Sequence, residues 1–143
     1  MMEQKKILIV ANQTAGGEHL KREVSRRLAE GPCVFTLLVP ATPPTHHATW
    51  TDEEARALAR SRMEQALTGL RELGAEVEGL VGDVSPMAAT DDILRQGSFD
   101  EIILSTLPVG VSRWLKQDLP HRMQRRYSIT VTHVLADRET TTA

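Results

Sequence analysis

Short runs of consecutive apolar residues constrain the fold of this chain more than any other feature. The sequence reads KILIV at 6–10, CVFTLLV at 33–39 and EIIL at 101–104. These runs are far too short to cross a membrane, and they are rich in residues that favour strands. Strands with apolar residues on both faces occur where a parallel sheet is covered on both sides. The runs therefore predict buried strands, with those at 6–10 and 101–104 at the centre of a parallel sheet.

Helical patterns separate the first three predicted strands. Residues 18–30 carry an apolar residue every four positions among charged ones, which gives one apolar stripe on a helix. Thr51 and Glu54 form a capping box before a longer helical pattern that ends at Gly74. The Pro-rich and Thr-rich segment 40–50 between these helices is expected to be a loop.

Two further helices and two half-polar strands complete the chain. Ser85 and Pro86 are a favourable N-cap and first-turn pair for a third helix. A fourth helix is expected to begin near Asp118, its N-cap, after a short turn. Residues 76–81 and 129–134 alternate polar and apolar side chains, which is typical of strands at the edges of a sheet.

Alternation of strands and helices predicts a doubly wound, five-stranded parallel sheet of Rossmann-like α/β class, with helices on both faces. The strand order 3-2-1-4-5 places two apolar strands inside the sheet and the two alternating strands at its edges. In this order the winding reverses between strands one and four, and ligands of such sheets bind at the carboxyl ends of the strands at that point. We expect one domain over residues 1–136 and a polar tail over 137–143.

Composition argues against several functional classes. Seventeen Lys and Arg against nineteen Asp and Glu give a net charge of −2, which favours neither nucleic acid nor an anionic membrane as a partner. The single Cys33 cannot form an intramolecular disulfide, and no leader-like segment is evident, so a cytoplasmic protein is expected. Motifs for phosphate loops, zinc hydrolysis and paired-cysteine metal sites are missing, and the adjacent His46 and His47 are interpreted as solvated. We therefore predict no metal and no catalytic residue, with slow nucleotide hydrolysis left open.

Polar residues cluster in the two loops that this fold would bring together, 11–17 (ANQTAGG) and 105–110 (STLPVG). Their neutral side chains both donate and accept hydrogen bonds, which suits a base or a sugar. The alternative is that such residues at strand ends only cap the following helix. The candidate ligand-binding residues in these loops are Asn12, Gln13, Thr14, Ser105 and Thr106.

Basic side chains are concentrated in residues 113–126, where six of them accompany the single acidic Asp118. Arg113 follows Gly110 closely and is the preferred phosphate ligand. For Arg125 and Arg126, a solvated helix surface is at least as good an explanation. Trp114 is expected to pack against the sheet, with stacking on a ligand ring as the alternative.

These residues together resemble the universal stress protein family. The resemblance is carried by ILIVANQT at 7–14, GDVSP at 82–86 and FDEIILST at 99–106, and it spans nearly the whole chain. In members with an intact site, an acidic residue after strand one holds the adenine nucleoside, and a loop patterned G-x2-G-x9-G-[ST] wraps the phosphates of ATP. This chain departs from both patterns, because Asn12 replaces the acid and the loop lacks several of the small residues. The replacements in that loop are Ser105 for the first Gly, and Gln117 and Asp118 for the final Gly-[ST] pair.

The resemblance implies a regulatory protein of the stress response that binds ATP, AMP or a related nucleoside weakly through a modified site. The alternative is an interaction module that binds no nucleotide and has a closed pocket. By position, the residues expected near the base are Asn12, Val39 and Gly82. Those expected near the sugar and phosphates are Ser105, Thr106, Gly110, Ser112 and Arg113.

The last predicted strand is an open edge. Residues 127–136 contain no Asp, Glu, Lys or Arg, and an uncharged edge of this kind invites pairing with another strand. The family resemblance implies the same association. We therefore predict a homodimer that pairs through Ile129 to Val134.

Overall fold

A computed structural model describes residues 4–43, 50–108 and 112–136. The strands in this part of the chain are β1 (Lys5–Val10), β2 (Cys33–Pro40), β3 (Glu76–Gly82), β4 (Glu101–Thr106) and β5 (Thr130–Leu135). The helices are α1 (Glu18–Glu30), α2 (Asp52–Glu72), α3 (Pro86–Gln96), α4 (Arg113–Lys116) and α5 (Leu119–Arg126).

The five strands form one parallel sheet in the order β3-β2-β1-β4-β5. This confirms the predicted fold class and strand order. The inner strands β1 and β4 pair directly, with Ile7 opposite Glu101 and Val10 opposite Leu104. Their carboxyl ends therefore lie side by side, at the point where the winding of the sheet reverses.

Alternate side chains of each strand supply two separate cores. Ile9 of β1 and Leu37 of β2 pack with α1 and α2 on one face of the sheet. Leu8 and Leu104 pack with α3, α4 and α5 on the other face. Trp114 belongs to this second core and is 7% exposed, which agrees with the prediction that it packs against the sheet.

Two helices begin as their sequences predict. The Thr51 hydroxyl accepts a hydrogen bond from the Glu54 amide, and the Thr51 amide donates to the Glu54 carboxylate, so the capping box of α2 is complete. At α3 the Ser85 hydroxyl accepts a hydrogen bond from the Ala88 amide at 3.2 Å. Both caps satisfy amide groups that a helix leaves without partners in its first turn.

The structure corrects two local predictions beyond β3. Ser105 and Thr106 belong to strand β4 rather than to a loop, because β4 keeps pairing with β5 as far as Leu135. Before α5, the short helix α4 replaces the expected turn. Asp118 lies at the predicted N-cap position of α5, but its backbone is left-handed and its side chain makes no capping hydrogen bond. Its carboxylate instead lies 2.8 Å from Nδ1 of His121.

Candidate functional site

A narrow crevice lies at the carboxyl ends of β1 and β4, where the sequence predicted a ligand. Its walls come from the residues after β1, the end of β4, the start of α4 and the residues after β2. The lining residues are Asn12, Gln13, Thr14, Thr42, Pro43, Ser105, Thr106, Leu107, Ser112, Arg113 and Trp114. Seven residues predicted from the two loops and from the family resemblance are therefore brought together: Asn12, Gln13, Thr14, Ser105, Thr106, Ser112 and Arg113.

The other predicted residues lie elsewhere. Val39 is fully buried in the core that packs against α2. Gly82 lies against α3, where a Cβ atom on it would approach the Cβ of Ala89 to 2.7 Å. Neither residue lines the crevice. Gly110 falls outside the described residues, as do His46 and His47.

Asn12 connects the ends of β1 and β2. Its side-chain Nδ2 donates hydrogen bonds to the carbonyl oxygens of Pro40 at 2.6 Å and Thr42 at 3.1 Å. Its Oδ1 accepts a hydrogen bond from Nη1 of Arg62 at 2.5 Å. Both hydrogens of the amide are thus in use, and a carboxylate could not make the two bonds to carbonyl oxygens. The local structure therefore requires an amide at position 12.

Arg62 of α2, the partner of Asn12, is a residue that the sequence analysis did not select. It follows Ala55 and Ala59 and precedes Ala66 on the same helical stripe, and those three alanines are buried. The Arg62 side chain is half-buried, and burial lowers the pKa of its guanidinium. A charged residue within an apolar stripe is the signal in the sequence that could have identified it.

A chain of hydrogen bonds runs from the crevice into the protein. Oγ1 of Thr14 lies 2.6 Å from Oγ of Ser105, which in turn lies 2.8 Å from Nε2 of His19 on α1. The sequence analysis also missed His19, which is buried in the first turn of α1. Its ring occupies space beside Gly17, where a Cβ atom would lie 2.6 Å from the ring. Thr14 and Ser105 therefore already have partners within the protein.

The hydroxyl of Thr106 also has hydrogen-bond partners within the protein. Its Oγ1 donates a hydrogen bond to the carbonyl oxygen of Leu107 at 3.0 Å and lies 2.8 Å from Nε2 of His133 in β5. Burial lowers the pKa of His133, which favours the neutral form of this ring. The hydroxyl of Thr106 thus links the end of β4 to the edge strand.

Arg113 also lines the crevice. Its Nη1 donates a hydrogen bond to the carbonyl oxygen of Pro43 at 2.7 Å. The preceding Ser112 caps α4, since its hydroxyl accepts a hydrogen bond from the Leu115 amide at 3.2 Å. Among the described residues that line the crevice, none is Asp or Glu. The cation therefore makes this end of the sheet suitable for an anionic group.

The crevice is narrow, with a free volume of about 40 Å³. A single water needs roughly 10–15 Å³ by this kind of measure, so a few waters fit between the side chains. Pockets for small organic ligands are on the order of 300–1,000 Å³. A mononucleotide would therefore enter only if side chains at the walls moved.

Residues 4–43, 50–108 and 112–136 contain no group of three or more His, Cys, Asp or Glu side chains that could hold a metal ion. Within that part of the chain, no helix combines the length and the apolar character needed to span a bilayer.

Sheet order and crevice together define a doubly wound α/β protein with a candidate ligand site at its switch point. Its fold is that of the universal stress proteins. The universal stress protein of Archaeoglobus fulgidus in complex with dAMP matches 94% of this chain and 99% of its own, with a TM-score of 0.61 and 14% identity. A universal stress protein in complex with cAMP matches 95% of this chain and 100% of its own, with a TM-score of 0.62 and 15% identity.

A third structure, also of a universal stress protein from Archaeoglobus fulgidus, covers 93% of this chain and 99% of its own, with a TM-score of 0.60 and 17% identity. No protein-family model matches the sequence, and no curated protein matches it either. At this level of identity the likeness establishes the fold.

Proposed function

We propose that this chain is a universal-stress-type regulatory protein that binds an adenine nucleotide or nucleoside weakly in the crevice. The observation that carries the proposal is the meeting of Asn12, Thr14, Ser105, Thr106 and Arg113 at one switch point of the sheet. Two proteins of the same fold that were solved with dAMP and cAMP support an adenine nucleotide as the ligand. A cytoplasmic location and a role in the stress response belong to the same proposal.

Weak binding follows from the hydrogen bonds already present in the crevice. The amide of Asn12 and the hydroxyls of Thr14, Ser105 and Thr106 all have protein partners. A ligand must exchange these bonds for its own, so each new contact adds only the difference between two hydrogen bonds. Side chains must also move to make room, which further reduces the affinity.

A second candidate function is an interaction module without a nucleotide. The small free volume of the crevice, about 40 Å³, favours it.

In either case we propose that two copies pair through β5. This strand lies at the edge of the sheet, and Leu135 at its end is 43% exposed.

Calorimetric titration with ATP, AMP and cyclic AMP tests the proposed function. We expect binding of at least one of them with a Kd on the order of 0.1 mM, and weaker binding by Asn12→Ala and Ser105→Ala. Ser98→Ala is the matched control, since this exposed serine lies near the amino ends of the strands, at the opposite end of the sheet. Absence of heat with all three ligands would refute nucleotide binding and leave the interaction module.

Native mass spectrometry of the freshly purified protein provides an independent test. A retained small molecule would identify the class of ligand directly by its mass. A mass equal to that of the chain, or of two chains, would support the interaction module when titration also shows no binding.

A further inference from the structure

We propose that Ser105 is a catalytic nucleophile with His19 as its general base, and that this pair hydrolyses short-chain acyl phosphates. The observation behind it is the distance of 2.8 Å between Oγ of Ser105 and Nε2 of His19. A base takes the proton of a nucleophile at about 2.6–3.2 Å. Ser105 also lines the crevice, so the pair lies beside free space that a substrate can occupy. The activity goes beyond the proposed function and does not depend on nucleotide binding.

The hydrogen bonds around Ser105 favour the loss of its hydroxyl proton. Its Oγ has two neighbours, Oγ1 of Thr14 at 2.6 Å and Nε2 of His19 at 2.8 Å. A hydroxyl carries one hydrogen and also accepts hydrogen bonds. When Thr14 donates to Ser105, the hydrogen of Ser105 is directed to Nε2, which accepts it in the tautomer that carries its proton on Nδ1. A serine oxygen is a weak nucleophile by itself, and this arrangement supplies the base that it requires.

Both members of the pair are held by regular elements of the fold. His19 lies in the first turn of α1 and is 5% exposed, and its ring packs against Gly17, where a Cβ atom would lie 2.6 Å from the ring. Ser105 lies in β4, opposite Val134 of β5. A helix and a strand hold side chains more precisely than loops do. The base and the nucleophile are therefore fixed relative to each other at the switch point of the sheet.

The size and charge of the crevice indicate the class of substrate. Its free volume of about 40 Å³ has room for a few waters, and an acetyl group is of comparable size. Arg113 is the one charged side chain among the described residues that line the crevice, and it is only partly buried. A guanidinium forms strong hydrogen bonds to phosphate oxygens. A small acyl group bound to phosphate fits both features, with the acyl group at Ser105 and the phosphate at Arg113.

The reaction proceeds through an acyl-serine. Attack by Oγ of Ser105 on the carbonyl carbon forms an ester and breaks the bond between that carbon and the phosphate oxygen. The hydroxyl proton passes to Nε2 of His19 and then to the departing phosphate. A water next attacks the ester and gives a proton to His19, which returns it to Oγ as the ester bond breaks. The carboxylic acid leaves and loses its proton to solvent, so acyl phosphate and water are the only reactants.

Incubation of the full chain with acetyl phosphate tests the proposal, with phosphate release as the measured rate. We expect Ser105→Ala to release phosphate no faster than buffer and His19→Gln to be about a hundredfold slower than wild type, the usual contribution of a general base. Ser98→Ala is the matched control, because this exposed serine lies near the amino ends of the strands, and it should keep the wild-type rate. Mass spectrometry of acid-quenched wild type should show an acetyl group on the peptide that contains Ser105.

Several results would overturn the proposal. Wild-type protein that releases phosphate no faster than buffer, or Ser105→Ala that equals wild type, rules out Ser105 as the nucleophile. A phosphoryl group on Ser105 instead of an acetyl group shows attack at phosphorus and rules out acyl transfer. If Ser105→Ala does not fold, His19→Gln carries the test, because it leaves the nucleophile in place. Failure here leaves nucleotide binding intact, since calorimetric titration tests that function separately.

Discussion

The guanidinium of Arg27 on α1 donates a hydrogen bond to the carboxylate of Glu101, which lies 74 positions further along the chain at the start of β4. Glu101 is 3% exposed, and it also accepts hydrogen bonds from Thr132 at 2.5 Å and Lys5 at 3.0 Å. Burial alone would raise the pKa of this carboxyl group, but the bonds from Arg27, Thr132 and Lys5 lower it to about 2. This ion pair therefore stabilises the amino ends of the strands, opposite the crevice.

The low pKa of Glu101 predicts an acid-sensitive part of the folding stability. Its usual value is 4.5 and the folded value is about 2, so the stabilisation is complete above about pH 5 and is lost as the pH falls towards 2. The difference corresponds to about 3 kcal/mol. We expect Glu101→Gln to lower the free energy of unfolding at pH 7 by a similar amount and to flatten its pH dependence between 5 and 2. Urea denaturation at several pH values measures both effects.

The control for this prediction is Glu72→Gln, the same change at an exposed position near the end of α2. It should leave the free energy of unfolding within about 0.5 kcal/mol of wild type. If Glu101→Gln showed the same loss of stability between pH 5 and 2 as wild type, the ion pair could not be the cause of that loss.

The sheet order was predictable from the sequence, but this ion pair was not. The apolar runs at 6–10 and 101–104 identify the inner strands without any knowledge of their partners. A strand that is covered on both faces has apolar side chains at consecutive positions, and such a run is visible in the sequence. Glu101 begins one of these runs, and Arg27 lies among the charged residues of α1. Their pairing depends on which side of α1 packs at which end of the sheet, and a local pattern does not contain that information.

The same distinction applies to the crevice. Asn12 and Ser105 were predicted because residues that directly follow apolar strands lie at known ends of the sheet. Arg62 and His19 were missed because each contacts a crevice residue from a helix, Arg62 at Asn12 and His19 at Ser105. The direction of such a side chain depends on how the helix packs against the sheet. Position 62 lies on the stripe of buried residues on α2, but a search for apolar residues at helical spacing does not select a charged residue.

Dimerisation through β5 can be tested with one proline. Ala136 donates its N–H to the carbonyl oxygen of Thr106 in β4, so the N–H of the neighbouring Leu135 points away from β4 and towards the open edge. Leu135→Pro removes this outward N–H and leaves the pairing with β4 in place. We expect sedimentation velocity at micromolar concentration to show a dimer for wild type and a monomer for Leu135→Pro.

Leu135→Ala is the control, because it keeps the outward N–H while it removes most of the exposed side chain. It should remain a dimer if backbone pairing holds the two copies together. A wild-type protein that sediments as a monomer contradicts the prediction, and a Leu135→Pro variant that stays dimeric assigns the interface to another surface.

Arg113 should act on the phosphate of a nucleotide rather than on its base. Its side chain lines the crevice and holds the carbonyl oxygen of Pro43. A guanidinium strengthens its hydrogen bonds when the acceptor is charged. We expect Arg113→Ala to weaken the binding of AMP about tenfold, or about 1.4 kcal/mol, and to change the binding of adenosine much less. Arg122→Ala, on the exposed face of α5, should change neither. Equal losses for AMP and adenosine would show that Arg113 acts by shaping the crevice.

Asn12→Asp provides a test in which the motif and the structure predict opposite results. The family resemblance associates an acidic residue at this position with adenine binding, so the motif predicts tighter binding by the variant. The structure predicts a less stable protein, because the carboxylate cannot donate to the carbonyl oxygens of Pro40 and Thr42 and places negative charge against them. Its attraction to Arg62 offsets only part of this loss.

We therefore expect Asn12→Asp to lower the free energy of unfolding by about 1–3 kcal/mol at pH 7, the usual cost of leaving buried polar groups without partners. Gln65→Glu makes the same change from amide to carboxylate on the exposed face of α2 and should have little effect. Urea denaturation and titration with AMP on the same samples distinguish the two predictions. A variant as stable as wild type that binds AMP more tightly would mean that the bonds from Asn12 to Pro40 and Thr42 contribute little, and that Arg62 accommodates the acid by forming an ion pair.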